Sequence, residues 1–264
     1  MENNFLEKIV AAKEGELAET KRLAPLREMQ AILCKLPPVR DFLAAIRGGT
    51  GAIIAEIKKA SPSRGVIRED FDPSAIAAVY EANGAAAISV LTERSFFQGD
   101  GRYLAEIRKT AGIPLLRKDF LVDPYQIYET RCLGGDALLL IARVLPDEIL
   151  AELIALTREL GMTPLVEVHD EEDLARSLAA GAPAIGVNNR NLATFVTELG
   201  TSLSLAPLIP AGVVKVSESG ITGRRDVERL RQAGYDALLV GETLMRSEDM
   251  GRKLRELRGE EDRP

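Results

Sequence analysis

Histidine is nearly absent from this 264-residue chain, with His169 the only one, and there is no tryptophan. A single histidine all but excludes a histidine-rich metal centre and makes a serine–histidine nucleophile pair a poor candidate. Cysteine is scarce too. Cys34 and Cys132 stand in no metal-like spacing, and so few thiols make a reducing, cytoplasmic setting the expectation. No apolar run approaches the roughly 20 residues of a membrane span. The opening "MENNFLEKIV" lacks the cationic-then-apolar pattern of a secretory signal. Net positive charge is missing as well. The 34 Lys and Arg face 40 Asp and Glu, a formal −6, so nothing global attracts nucleic acid or an anionic membrane. An anionic ligand would need a local cluster of donors.

What is present is a 46% hydrophobic chain, enough for a sizeable core, organised in a regular march. The first 47 residues read as helices: "FLEKIVAAKEGELAETKRL" and "REMQAILCKL" are rich in Ala, Leu, Glu and Lys. After "RGGTG" the texture changes. Eight short apolar runs follow: "AIIAEIKK", "AAAISVLT", "PLLRKDF", "ALLLIA", "TPLVEVH", "AIGVNNR", "VVKVSES" and "ALLVGE". They recur at roughly 20–33 residues, the length of one strand–loop–helix unit. Amphipathic stretches such as "DPSAIAAVYEANG" and "DEEDLARSLAAG" lie between them, and several end in glycine, as helices prefer. Such alternation implies a parallel sheet, and eight units are the count that closes an α/β (β/α)8 TIM barrel. The alternative, an open doubly wound sheet, would typically carry a glycine-rich turn after its first strand, and "KKASPSRG" is not one. No composition break marks a second domain. The expectation is one barrel domain over residues 1–264, with residues 1–47 an N-terminal helical extension packed on it.

Within "AEIKKASPSRG", Glu56 and Lys58 sit two apart at the end of an apolar run, so on a strand both point to one face. Charges in an interior are costly, and strand C-termini are where such barrels place their chemistry. Other polar residues also come late in their runs: Lys118 in the third, Glu167 in the fifth, Asn188 in the sixth and Glu218 in the seventh. Each charged member shares a face with an apolar residue two earlier: Ile54, Leu116, Leu165 and Val216 for Glu56, Lys118, Glu167 and Glu218. The simplest arrangement sets them around one barrel mouth. Lys215 falls on the opposite face and is left out. His169, just past Glu167 and beside "DEED", is expected at the surface or capping a helix.

A second constellation follows the last two runs, in "VSESGIT" and "VGETLMRSED". Loops in these positions frequently bind phosphate in this fold. Ser219, Gly220 and Gly241 would bring backbone N–H groups close to phosphate oxygens, and Glu242 would open a short helix with its N–H toward the ligand and its carboxylate turned away. Ser61 and Arg190 could add donors from the rim.

Together these segments resemble the indole-3-glycerol-phosphate synthase family of tryptophan biosynthesis. The likeness runs from the N-terminal helices to the last strand, strongest in "EIKKASPSRG", "SVLTERSFFQG", "LLRKDFLVDPYQI", "GVNNRNL", "SESGI" and "VGETLM". It implies a barrel whose extra N-terminal segment helps cover the mouth. The implied reaction converts 1-(2-carboxyphenylamino)-1-deoxyribulose 5-phosphate to indole-3-glycerol phosphate with loss of carbon dioxide and water. It implies no metal and no organic cofactor. Position by position, it assigns catalysis to Glu56, Lys58, Lys118, Glu167, Asn188, Glu218 and Ser219, and phosphate contacts to Ser61, Gly220 and Gly241 with Arg190 at the rim. Thr243 stands where family members often carry serine.

Closing a ring onto a ketone needs an acid at the carbonyl oxygen, for which Lys118 is the choice. Dehydration needs a second acid, Lys58, and a base, Glu167 or Glu56. Asn188 and Glu218 would bind hydroxyls, and Phe96 or Phe97 would offer an apolar face to the aromatic ring. A phosphorylated small molecule is the only partner expected, with no nucleic acid or membrane, and the chain is expected to act as a monomer. Three rivals remain open: a phosphoribosylanthranilate isomerase-like barrel, a Schiff-base aldolase, and a non-catalytic phosphate-ligand binder.

Overall fold

The protein is described from a computed structural model, which covers residues 4–48, 51–191 and 194–260. The first three residues, Gly49 and Thr50 of "RGGTG", and Leu192 of "GVNNRNL" lie outside the described residues.

Each of the eight apolar runs forms one strand: β1 Ala52–Ile57, β2 Ala87–Leu91, β3 Leu115–Lys118, β4 Ala137–Ile141, β5 Thr163–Val168, β6 Ala184–Asn188, β7 Val214–Glu218 and β8 Ala237–Val240. All neighbouring pairs are parallel. The ring closes where β1 pairs with both β2 and β8, with Ala52 opposite Ala237 and Ile54 opposite Ala87. A two-strand hairpin, Ala60–Ser61 with Gly65–Val66, follows β1 at the mouth.

Ahead of the barrel come α1 Asn4–Leu23, α2 Leu26–Ile32 and α3 Phe42–Ile46. The outer helices are α4 Pro73–Ala82, α5 Gly101–Arg108, α6 Pro124–Cys132, α7 Asp147–Glu159, α8 Glu171–Ala179, α9 Gly200–Leu205 and α10 Arg224–Gln232, then α11 Glu242–Met245 and α12 Met250–Arg258. Aspartate starts many of them. Asp72, Asp100, Asp123, Asp170 and Asp249 each accept a backbone N–H from the first turn, satisfying donors a helix N-terminus leaves unpaired.

Strand alternation separates two apolar layers. Ile53, Ala55, Ile57, Val166 and Leu238 face outward onto the helices. Ile54, Leu116, Leu139, Leu165, Val216 and Leu239 fill the barrel interior. Burial of each such side chain stabilises the fold by about 1.5–3 kcal/mol relative to exposure. The interior cluster continues past both ends of the strands: Phe42 and Ile46 of α3 join it from one side, Ile9 of α1 and Phe120 from the other. Residues two positions beyond that apolar floor necessarily project into the mouth. Lys215 lies on the other strand face, where its ammonium donates to the Ala206 carbonyl at 2.8 Å.

α1 is tied down by charge. Lys13 Nζ is 3.0 Å from Asp119 Oδ1, and both side chains are buried. Asp119 also accepts from Thr92, Arg117 and the Phe120 N–H, so the helix is fastened to the residue next to Lys118. Tyr125 Oη donates to Ala24 O at 2.7 Å, holding the end of the same segment. Among the described residues, no helix is long and apolar enough to cross a membrane.

Candidate active site

At the C-terminal end of the strands lies a cavity of about 470 Å³, lined by Glu56, Lys58, Lys118, Glu167, Asn188 and Glu218 from five strands and their ends. Lys118 stands at its centre: Nζ donates to Glu167 Oε2 and to Glu218 Oε2, each at 3.0 Å. Lys58 Nζ pairs with Glu56 Oε2 at 2.7 Å, so the two charges sharing a face of β1 neutralise each other in the mouth. Asn188 and Glu218 are directly opposed across β6 and β7. The Asn188 amide oxygen accepts the Arg190 N–H at 3.0 Å, leaving its NH₂ to hydrogen-bond to Glu167.

Three carboxylates around two ammonium groups set the proton distribution. Burial works against the Lys118 charge, but the carboxylates of Glu167, Glu218 and Glu56 outweigh it and hold the ammonium well above the ordinary lysine value. Burial pushes both Glu167 and Glu218 upward, and the two part company on their partners. Glu167 has Lys118, His169 and the Asn188 amide, and falls below the usual carboxylate range. Glu218 has Lys118 alone against the charges of Glu167 and Glu56. Its Oε1 is buried without a hydrogen bond among the described residues, and the carboxyl rises to about 7. One mouth therefore holds a protonated ammonium, an ionised carboxylate and a carboxyl raised to about 7. Such divergence between neighbouring titratable groups is the mark of acid–base machinery.

Beside this cluster, Ser219 and Gly220 both take positive φ, +66° and +79°. A non-glycine residue there carries strain, and successive left-handed residues turn their N–H groups to one side as an anion-binding concavity. Asn189 secures the turn by donating to the carbonyls of Glu218 and Ser219 at 3.0 and 3.1 Å. A Cβ on Gly241 would collide with the Glu56 carboxylate, so glycine is what lets the β8 end approach β1. The four-residue α11 starts at Glu242, and Thr243 Oγ1 donates to Ile221 O at 2.6 Å, joining it to the loop after β7.

Three placements differ from the sequence expectation, and a fourth decides a choice it left open. The Glu242 carboxylate does not turn away. It lines the cavity and gathers three guanidinium groups, Arg64 at 3.1 Å, Arg190 at 3.2 Å and Arg246 at 3.2 Å. An excess of positive charge in the niche draws in the nearest carboxylate. Ser61 is buried in the hairpin behind Pro62 and Ser63, which line the cavity in its place, and its hydroxyl has no hydrogen-bond partner among the described residues. Phe97, not Phe96, reaches the cavity wall, because the turn of residues 95–97 is wound around the Glu93 carboxylate, which accepts N–H groups from Ser95, Phe96 and Phe97. His169 is neither at the surface nor a cap: its side chain is 5% exposed, and Asp170 caps α8.

Some contributors escaped the sequence reading. Arg64 and Arg246 add cations to the niche, and Leu6 of α1 and Phe120 close the apolar side. Gly186 has no side chain where a Cβ would strike Glu218 Oε1, so it makes room for that carboxylate. Only the cationic count of "SPSRG" and "LMRSED" could have signalled the arginines; the Gly186 contact spans two strands and leaves no local trace. Among the described residues, no group of three or more His, Cys, Asp or Glu is arranged to hold a metal ion.

A closed parallel barrel with ammonium and carboxylate groups converging at its strand ends defines a TIM-barrel enzyme working by acid–base chemistry. Comparison with known proteins narrows that class. The profile of the family described as "Indole-3-glycerol phosphate synthase" matches residues 6–257. An indole-3-glycerol phosphate synthase of Acidithiobacillus ferrooxidans is 48% identical over 258 residues, covering 96% of this chain and 98% of the relative. The chain belongs to the indole-3-glycerol phosphate synthase family, and its activity is that of a carboxy-lyase of tryptophan biosynthesis. Distant solved structures share the fold. A 3-hexulose-6-phosphate synthase superposes with a TM-score of 0.63 at 14% identity, covering 79% of this chain and 98% of that one. A mutant tryptophan synthase alpha-subunit from Pyrococcus furiosus gives 0.61 at 15% identity, covering 81% and 99%.

Proposed function

We propose that Lys118 is the acid of ring closure, protonating the ketone oxygen while the aryl carbon bearing the carboxylate bonds to the carbonyl carbon. Carbon dioxide then departs, and the electron pair it leaves restores the aromatic ring. In the dehydration, Lys58 protonates the departing hydroxyl while Glu167, held ionised, removes a proton from the adjacent carbon and the double bond forms. Glu56 orients Lys58; Glu218 and Asn188 bind hydroxyls of the substrate chain. Phe97 and Phe120 offer the aromatic ring its apolar wall. The phosphate sits against the N–H groups of Ser219, Gly220 and Gly241 with Arg64, Arg190 and Arg246 around it, Glu242 giving up its hold on them. Ser61 and Phe96 stay outside this contact set.

The observation that carries this reading is the placement of Lys118 Nζ at 3.0 Å from two carboxylates in a cavity whose other side bears three arginines. The test is direct: incubation with the carboxyphenylamino-deoxyribulose phosphate should generate indole absorbance and fluorescence, against a protein background without tryptophan. Absence of product from folded enzyme overturns it. We further propose a single 1–264 domain acting as a cytoplasmic monomer, which sedimentation at working concentration and cell fractionation would check.

A further inference from the structure

We propose that His169 is a positioning residue of the active site, its imidazole bracing the rear oxygen of Glu167 against Asp173. The proposal rests on the reading of Glu167 as a catalytic carboxylate.

His169 follows Glu167 by two residues, so both side chains leave the chain on the same face at the end of β5. Its Nε2 lies 3.4 Å from Glu167 Oε1, and its Nδ1 lies 3.6 Å from Asp173 Oδ2. Lys118 engages the other Glu167 oxygen, so the imidazole addresses the side of the carboxylate that the ammonium does not. Asp173 is itself held fast: it accepts the His169 N–H at 3.0 Å and pairs with Arg143 Nη2 at 2.9 Å, while Arg143 also pairs with Asp170. The order Arg143–Asp173–His169–Glu167–Lys118 thus runs without a break from the outer surface to the substrate cavity.

Both imidazole nitrogens are buried and neither makes a well-aligned hydrogen bond. A buried donor or acceptor left unpaired is destabilising, which a ring serving packing alone would not need to bear. The contacts lie a few tenths of an ångström beyond good hydrogen bonds, and such catalytic contacts tighten when substrate is bound. The charged or hydrogen-bonding groups facing this region are Lys118 from β3, Asn188 from β6, Glu218 from β7, and Asp170, Asp173 and Arg143 from the start of α8 and the turn before α7. His169 is the one that touches Glu167 from behind. It is not among the residues lining the cavity, so it acts through Glu167 and not on substrate.

The imidazole is the only one in the chain, so its ¹⁵N resonances are read without assignment. Three variants decide the matter. His169→Phe, which removes both nitrogens, should lower kcat about tenfold or more with KM within about twofold, as loss of positioning does. It should also move the acid limb of kcat/KM to higher pH, because Glu167 loses a group favouring its charged form. His169→Gln, which keeps an amide donor, should recover most of both. Folded His169→Phe with wild-type kcat and acid limb overturns the proposal. Should that variant fail to fold, the wild-type imidazole ¹⁵N shifts are compared with those of Glu167→Gln: displaced signals support the contact, unchanged signals overturn it. Glu167→Gln also keeps the two readings apart. Full activity there refutes Glu167 as a catalytic group, whereas an inactive Glu167→Gln beside a normal His169→Phe refutes only the role of His169.

Discussion

Lys118 Nζ and Glu218 Oε2 are 3.0 Å apart, although 100 residues and three strands of the barrel separate them along the chain. The contact places a half-buried ammonium between Glu218 and Glu167, and it makes Lys118 the residue whose loss should cost most. Lys118→Met is expected to lower turnover about 100-fold or more, the scale of general acid catalysis, with circular dichroism unchanged. Turnover near normal in the folded variant removes Lys118 from the acid role.

Glu218 should write its protonation into stability. Its carboxyl is raised from 4.5 to about 7, mainly by burial and then by Glu167 and Glu56 against Lys118. The native state therefore binds a proton that the unfolded chain releases. That contribution is fully present below 4.5 and is lost as pH rises through about 7. Relative to Glu218→Gln, the Tm of the wild-type protein should fall as pH climbs between those values. A parallel pair of Tm–pH curves would show that Glu218 titrates in the ordinary range.

The Glu242 carboxylate occupies the cationic niche that an incoming phosphate needs, between Arg64, Arg190 and Arg246. Replacing it with glutamine keeps a hydrogen-bond acceptor and removes the competing charge. Glu242→Gln should bind inorganic phosphate more tightly, by up to about fivefold as judged by calorimetry, since a charge pair at a partly solvated site is worth up to about 1 kcal/mol. Weaker binding would mean that Glu242 organises the arginines and does not compete with the ligand.

Gly186 lies under Glu218, and a Cβ there would run into Oε1 of that carboxylate. Gly186→Ala should displace Glu218 from Lys118 and lower kcat about tenfold or more, misplacement by an ångström being enough for such a loss. Because the displaced group is a side chain, the fold should survive; kcat within twofold of wild type would show that Glu218 moves aside without consequence.

Lys13 is buried against Asp119 at 3.0 Å and anchors α1 to the residue following Lys118. Lys13→Met leaves Asp119 with Arg117, Thr92 and the Phe120 N–H, so the cost should be less than that of a fully orphaned charge, about 2 kcal/mol. Thermal unfolding should drop by several degrees, and KM should rise because Leu6 of the same helix lines the cavity. An unaltered KM would detach the helix from substrate binding.

The eight strands, their order, and the facing of Glu56, Lys118, Glu167 and Glu218 were readable in the chain because they follow from local rules. Strand alternation assigns faces, aspartates and glycines mark helix ends, and eight repeats of one unit have a single economical closure. The N-terminal helices were equally plain from composition. What failed to show locally was anything decided by the end of a long side chain. Glu242 was misjudged and the choice between Phe96 and Phe97 stayed open because their directions depend on arginines from three separate loops and on the Glu93 carboxylate coiling its own turn. His169 read as a surface or capping residue because it stands beside "DEED", and nothing in sequence says that Asp173 and Glu167 close over the ring.

Taken by itself, the amino-acid order determined a barrel and the ring of residues at its mouth, since periodicity is a property of neighbours along the chain. Which carboxyl keeps its proton, which cation meets which anion, and which side chain reaches the ligand were decided only in three dimensions. Those outcomes turn on burial and on charges brought together from remote segments, and electrostatic energy depends on distance through the folded molecule, not along the backbone.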